Sequence, residues 1–225
     1  MKKFLLSIII AFFLSTSLVI AESRFGELTS LRKDEMSGKD NQWVRPHPGP
    51  FVWNRIEREQ GNFRWDGADE YVIYAQDHNQ KIIATIWPYA NWEQISCKRK
   101  KGKNPFGKKF AKYISKPCSM DDYKKFILAL VDRYDGDGSN DMPGLTKPIT
   151  HWEIMNEPEF KMFFKGTSKE FVEIFIFSSK TIREKQKESI IIMAGAASMF
   201  PESEKFWKLV LPKIKDHFDI ANIHH

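Results

Sequence analysis

His151-Trp152-Glu153-Ile154-Met155-Asn156-Glu157-Pro158 reads as a β-strand that ends on a carboxyl group. The strand is expected from Ile149 to Met155, a continuous run of the kind found when a sheet is buried on both faces. Pro158 has no amide to donate and stops the strand, so Glu157 is expected to face the mouth of the fold. The same pattern recurs outward along the chain. Trp43-Val44-Arg45 is a short strand ended by Pro46-His47-Pro48-Gly49-Pro50, and Lys81 to Trp87 is a strand stopped by Pro88. Ser189 to Ala194 and Phe218 to Ile223 are two more.

Helical segments separate these strands. Asp66 caps a helix through about Asn79, with Ala68, Tyr71, Val72 and Ala75 near helical spacing. Ser119 with Asp122 gives a start signal for a helix to about Tyr134, and Thr167 with Glu170 forms a capping-box pattern before a helix to about Lys187. Pro201 opens a helix that ends near Lys215. Strands alternating with helices imply an α/β fold, a parallel sheet with helices outside, in which function sits at the carboxyl ends of the strands.

Composition narrows the classes. The chain has 225 residues, enough for one sizeable core, and its 14% aromatic content is far too high for a disordered chain. The formal charge is +6, and without Lys2 and Lys3 it is +4, a bias too weak to argue for nucleic acid. No glycine-rich phosphate loop and no zinc-type cysteine pairs occur. Met1-Lys2-Lys3, the apolar run from Phe4 to Ile20 and the Val19-Ile20-Ala21 site read as a secretory signal peptide over residues 1–21. An uncleaved anchor is the other reading of that run. No later segment is apolar enough to span a membrane. Residues 22–225 then form one domain, secreted or periplasmic. Export makes a disulfide the expected state of Cys97 and Cys118, against two separate thiols.

A carboxyl group at a strand end suits acid catalysis of glycosidic cleavage. Such an acid needs a pKa raised toward neutrality, which an apolar or aromatic pocket provides. The Asn156 amide suits a hydrogen bond to a sugar 2-hydroxyl. Trp87, Tyr89 and Trp92 lie at or just past a strand end, where rings can stack on sugar faces or pack in the core; Asn91 stands among them. Arg45 and His47 end another strand and are candidates to bind hydroxyls or orient a carboxylate, with a structural ion pair the alternative for Arg45. His224 and His225 are candidates to line the cleft.

These landmarks together resemble the clan A glycoside hydrolases, retaining enzymes on a (β/α)8 TIM barrel that include families 5, 10 and 39. The resemblance runs from about Trp43 to His225. It rests on Trp43-Val44-Arg45-Pro46-His47 at the second strand, then Trp53, Ile56-Glu57 and Gly61-Asn62-Phe63-Arg64-Trp65-Asp66. Trp87-Pro88-Tyr89-Ala90-Asn91-Trp92 follows at the third strand, Trp152-Glu153 through Pro158 at the fourth and His224-His225 at the sixth. It implies that Glu157 is the acid/base, that Asn156 is its paired asparagine, and that a carbohydrate is the substrate, with no cofactor. It also implies a nucleophilic Glu after a seventh strand, for which the sequence offers no match, so the barrel is expected to be incomplete at its C-terminal side. Glu153 shares the strand parity of Glu157 but lies about 13 Å lower at ~3.3 Å per residue, whereas retaining chemistry needs carboxyls about 5–5.5 Å apart. Glu153 therefore reads as a buried polar residue. A non-catalytic secreted carbohydrate-binding protein, or an inactive gene fragment, is the alternative to the enzyme.

Asp135, Asp137, Ser139 and Asp141 place oxygens at alternate positions, like the first half of a calcium loop, without a Glu at the twelfth position, Thr146. A structural calcium held by Asp135, Asp137 and Asp141 and a solvated acidic turn are the two readings.

Overall fold

The structure is a computed structural model that describes residues 26–29, 42–103, 106, 110–197 and 200–224. The expected leader, residues 1–21, and His225 lie outside the described residues. Five strands form one parallel sheet in the order β1 (Gly26–Thr29), β2 (Trp43–Pro46), β5 (Lys81–Ile86), β6 (His151–Ile154) and β7 (Ile190–Ile192). Beyond β7, the short parallel pair β8 (Ala196–Ala197) and β9 (Ile223–His224) carries the curvature on, joined by bridges between Asn156 and Gly195 and between Ile192 and Ile220. The sheet does not close on itself among the described residues.

Side chains alternate across this sheet. Val44, Ile82, Ala84, Ile86, Trp152 and Ile154 are buried. Arg45, Thr85 and Glu153 share the opposite, inner face by parity and register, Thr85 standing directly beside Glu153. Helices pack outside. On α4 (Met120–Tyr134) the buried residues Tyr123, Phe126, Ile127, Leu130, Val131 and Tyr134 recur at three- and four-residue spacing, which puts them on one face. That face meets α5 (Ser168–Lys185), where the Tyr123 hydroxyl and Ser178 Oγ lie 2.9 Å apart. Ser119 caps α4 by accepting from the Asp122 amide, and Thr167 and Glu170 close a full capping box on α5. α2 (Asp66–Asp77) and α6 (Pro201–Ile214) complete the outer layer.

Four details differ from the sequence reading. Trp65 is the N-cap of α2 and Asp66 its first helical residue, where its charge favours the positive end of the helix. The strand expected from Phe218 is reduced to a bridge at Ile220 and β9, because Asp219 turns its carboxylate onto the Ile191 amide and Arg183. β1 carried no readable signal in four residues that include Gly26. The landmark Ile56-Glu57 through Phe63 is an antiparallel hairpin, β3 (Glu57–Glu59) with β4 (Asn62–Phe63). The buried Glu57 carboxylate fastens that hairpin, accepting from Trp53 Nε1 at 2.5 Å and the Gly61 amide at 2.6 Å.

Candidate active site

The carboxyl ends of the strands hold four of the expected site residues in two hydrogen-bonded groups, Arg45 with Asn156 and Glu157 with His224, which meet at the adjacent residues Asn156 and Glu157. Arg45 on β2 reaches across the sheet. Its Nε donates to Glu153 Oε2 at 2.8 Å and its Nη2 donates to Asn156 Oδ1 at 2.7 Å. Glu153 is fully buried and receives two further bonds, from Thr85 Oγ1 at 2.5 Å and Asn222 Nδ2 at 2.6 Å. It is therefore the polar anchor of the inner face. Arginine only donates, so the atom of Asn156 facing it is the carbonyl oxygen. The amide nitrogen of Asn156 is left for another partner.

Glu157 stands one residue further on, with 20% of its side chain exposed, and its Oε1 lies 2.7 Å from His224 Nδ1. The backbone there is irregular. Met155 and Glu157 have φ of 66° and 43°, left-handed values that side chains adopt only when their surroundings hold them. The Glu157 amide bonds the Gly195 carbonyl at 2.9 Å, which supplies part of that hold. Gly195 has a second role: a Cβ there would lie 2.2 Å from His224 Nε2. Only glycine lets the imidazole lie flat over the strand and reach Glu157. Nothing in the sequence marked Gly195, Thr85 or Asn222, since each acts through a neighbour distant in the chain.

His47 completes the wall. Burial, and next the Arg45 charge, lower its pKa to about 4, with Glu157 opposing and His224 reinforcing the shift. The ring is neutral at neutral pH, and its Nδ1 is buried without a hydrogen-bond partner among the described residues. The unfolded chain takes up this proton near pH 6.5, whereas the folded chain takes it up only near 4. The stability that the neutral ring confers is thus whole above about pH 6.5 and is lost as pH falls toward 4. After discounting for the part of the ring that solvent screens, the loss is on the order of 2 kcal/mol. The expected result is that melting curves of the parent and His47→Asn, taken from pH 7.5 to 4, converge as the pH drops. Parallel curves would show that His47 does not titrate in this way.

Of the two readings of the rings at the end of β5, the structure places Trp87 and Tyr89 in the core and leaves Trp92 half-buried. Trp87 and Tyr89 are fully buried, and their rings pack with Phe110. Trp87 Nε1 donates to the Pro48 carbonyl at 2.7 Å and the Tyr89 hydroxyl to the Phe163 carbonyl at 2.6 Å. Trp92 turns its edge to Trp53 and donates to the Glu57 carbonyl. Asn91 accepts from the Lys112 amide and steadies the loop. Through these contacts the residues after β5 shape the wall beside the strand ends. Cys97 and Cys118 are joined as a disulfide with Cα atoms 6.1 Å apart, closing that loop.

The acidic turn is arranged differently from the calcium pattern. Asp141 accepts from the Gly136 and Gly138 amides. The carboxylates that converge are those of Asp132, Asp135 and Asp137. The Lys185 ammonium sits among them, bonded to Asp132 and, at 3.1 Å, to Asp137. An ion there would have to displace this lysine. Asp132 belongs to α4 and was not visible as part of the loop motif.

Glu159, two residues past Glu157, is the other carboxyl group nearby. Burial pushes its pKa up, and the Ala197 amide donates to its Oε1 at 2.7 Å. No helix among the described residues is long and apolar enough to cross a membrane.

No family model matches the sequence. Solved structures do match in fold. A β-galactosidase from the psychrophilic Marinomonas ef1 aligns over 90% of this chain and 40% of its own, with a TM-score of 0.62 and 12% identity. A monomeric β-xylosidase from Caulobacter crescentus CB15 aligns over 89% of this chain and 41% of its own, with a TM-score of 0.59 and 14% identity. Xylanase 10B from Thermotoga petrophila RKU-1, solved with xylobiose, aligns over 88% and 59%, with a TM-score of 0.55 and 13% identity. The chain spans 37% of the glucosidase from Croceicoccus marinus and 64% of a psychrophilic family 10 xylanase. Over the portion that it spans, the chain has the parallel α/β fold of these glycoside hydrolases, the group that its residue pattern resembles.

Proposed function

We propose that the chain is the greater part of the catalytic domain of an exported, retaining glycoside hydrolase. The observation that carries this reading is the pair of contacts, Arg45 to Asn156 and His224 to the adjoining Glu157, at the strand ends of a fold shared with glycoside hydrolases. Glu157 protonates the leaving oxygen as the glycosidic bond breaks, with His224 holding its carboxyl group in place. Asn156, its carbonyl fixed by Arg45, turns its amide toward the sugar 2-hydroxyl, a contact that strengthens in the transition state. After a glycosyl-enzyme has formed, Glu157 takes a proton from the attacking water.

The second carboxylate needs a separate source. Both oxygens of Glu153 are committed to Arg45, Thr85 and Asn222. One oxygen of Glu159 is bound to the Ala197 amide and the other is buried. Neither is placed to attack an anomeric carbon, so we assign the nucleophile to polypeptide outside these 225 residues. The test compares residues 22–225 with a protein extended beyond residue 225. Expected is turnover of an aryl glycoside by the extended protein alone, with the product anomer retained by proton NMR. Turnover by residues 22–225 alone would overturn the assignment of the nucleophile. An inverted product would overturn the retaining mechanism, and an extended protein inert on every glycoside would overturn the enzyme reading.

A further inference from the structure

The loop closed by Cys97 and Cys118 carries eight lysines and one arginine and no acidic residue. Such a concentration of one charge is costly to hold together unless an anion is met there. Part of it forms an open groove of about 480 Å³, lined by Cys97, Lys98, Arg99, Lys100, Ser115, Lys161 and Lys165. The residues come from two neighbouring loops, one following β5 and one following Glu157 at the end of β6. Both loops leave the carboxyl ends of adjacent strands, on the face that holds the site.

The charges in the groove are mostly unspent. No carboxylate among the described residues forms an ion pair with Lys98, Lys100, Lys161 or Lys165. Lys161 and Lys165 donate to the Gly166 and Lys101 carbonyls, which orients them without neutralising them. Arg99 Nη1 is 3.8 Å from Glu170 Oε1, and its Nε is buried with no hydrogen-bond partner among the described residues. The exposed part of a guanidinium suits the paired oxygens of a carboxylate or a sulfate ester. Lys116, further along the loop, is already paired with Glu173.

The basic loop that carries part of the groove also touches the wall of the site. Phe106, in the basic loop, packs its ring 4.9 Å from His47 and 5.9 Å from Phe163. Phe163 lies between Glu157 and Lys165 in the chain, and its carbonyl is held by Tyr89. The two loops that hold the lysines therefore also border the site, one through Phe106 against His47 and the other by following Glu157 in the chain.

We propose that the groove is a subsite for an anionic glycan, one bearing uronate carboxylates or sulfate esters a few sugars from the cleaved bond. This rests on the glycosidase reading above and names the substrate class of the same cleft. The experiment is calorimetric titration of the full chain with tetragalacturonate, a sulfated heparin-derived tetrasaccharide, neutral xylotetraose and a single-stranded DNA octamer. At 50 mM salt, at least one anionic tetrasaccharide is expected to bind ten times or more tighter than the neutral one. Whichever anionic sugar binds names the group recognised. The advantage is expected to vanish at 500 mM salt, where screening is strong. The exposed double variant Lys98→Gln/Lys100→Gln should lose the advantage and keep its affinity for xylotetraose, and the salt series on the parent gives the same information should that variant not fold. Equal affinity for charged and neutral sugars overturns the anionic subsite and leaves the glycosidase reading standing. No binding of any sugar also overturns the subsite, while turnover by the extended protein tests the glycosidase reading separately. DNA binding as tight as the anionic sugars overturns the subsite by showing only a general attraction for polyanions.

Discussion

Glu157→Gln in the extended protein is expected to lower turnover of natural, poorly leaving glycosides by about 10²–10⁴-fold. The side chain keeps its size, and the amide oxygen can still face His224, so the fold should be untouched. What is lost is the proton. An aryl glycoside with an acidic phenol leaves without one, so its first step should slow far less. Its second step still needs Glu157 to take a proton from water, so the glycosyl-enzyme should accumulate after a burst of phenol. Azide needs no such base, and adding it should restore turnover and give a glycosyl azide. The measurements are steady-state rates on the two substrate types, the burst, and mass spectrometry of the azide product. Equal losses on both substrate types with no azide rescue would remove Glu157 from the acid/base role. Glu159→Gln is the matching control. Burial raises the Glu159 pKa as an acid would require, yet its carboxyl group is turned to the Ala197 amide. The proposed function puts the reaction on Glu157, so the control should leave the substrate dependence unchanged.

The parts of the molecule that the sequence disclosed are those governed by local rules. Ser119, Thr167 and Glu170 sit where capping requires, because a helix start depends on three or four consecutive residues. Asn156 and Glu157 were readable because a strand, a polar pair and a proline adjoin. Arg45 was legible as the end of a strand with two readings; its bond to Glu153 is the structural ion pair, and its bond to Asn156 was in neither reading. The aromatic residues misled for a physical reason. A ring at a strand end can turn outward to a ligand or inward to a loop, and sequence does not fix which. Here Phe110 and Phe163, both distant in the chain, enclose Trp87. Gly195 was silent because its value lies in the side chain that it does not have. The clearance it gives His224 exists only once the strands after β6 have been brought together.

Glu153→Ala should destabilise the chain by about 3–5 kcal/mol, the usual cost of removing one partner of a buried ion pair. Total stability is only about 5–15 kcal/mol for a domain of ordinary size, so the variant should lie near the edge of folding. The argument follows from what remains. Arg45 is 13% exposed and would keep its charge with Asn156 Oδ1 as its remaining anchor in the network. Thr85 and Asn222 would each lose an acceptor, at about 1–3 kcal/mol for a polar group left unpaired. Those penalties overlap, since the vacated volume lets the groups relax toward one another, which is why they do not simply add. Urea unfolding should show a lower midpoint with an unchanged slope. The double variant Arg45→Met/Glu153→Leu separates the two roles of the pair. It removes the buried charges together, and apolar replacements of similar size are often neutral or better for stability. The double variant should therefore unfold above Glu153→Ala yet below the parent, since Thr85, Asn222 and Asn156 still lose a partner, while in the extended protein it should lose turnover, because Asn156 would no longer be held by Arg45. If Glu153→Ala unfolded within about 1 kcal/mol of the parent, the network would not be the anchor of the inner face, and if the double variant kept full activity, it would not be the support of the site.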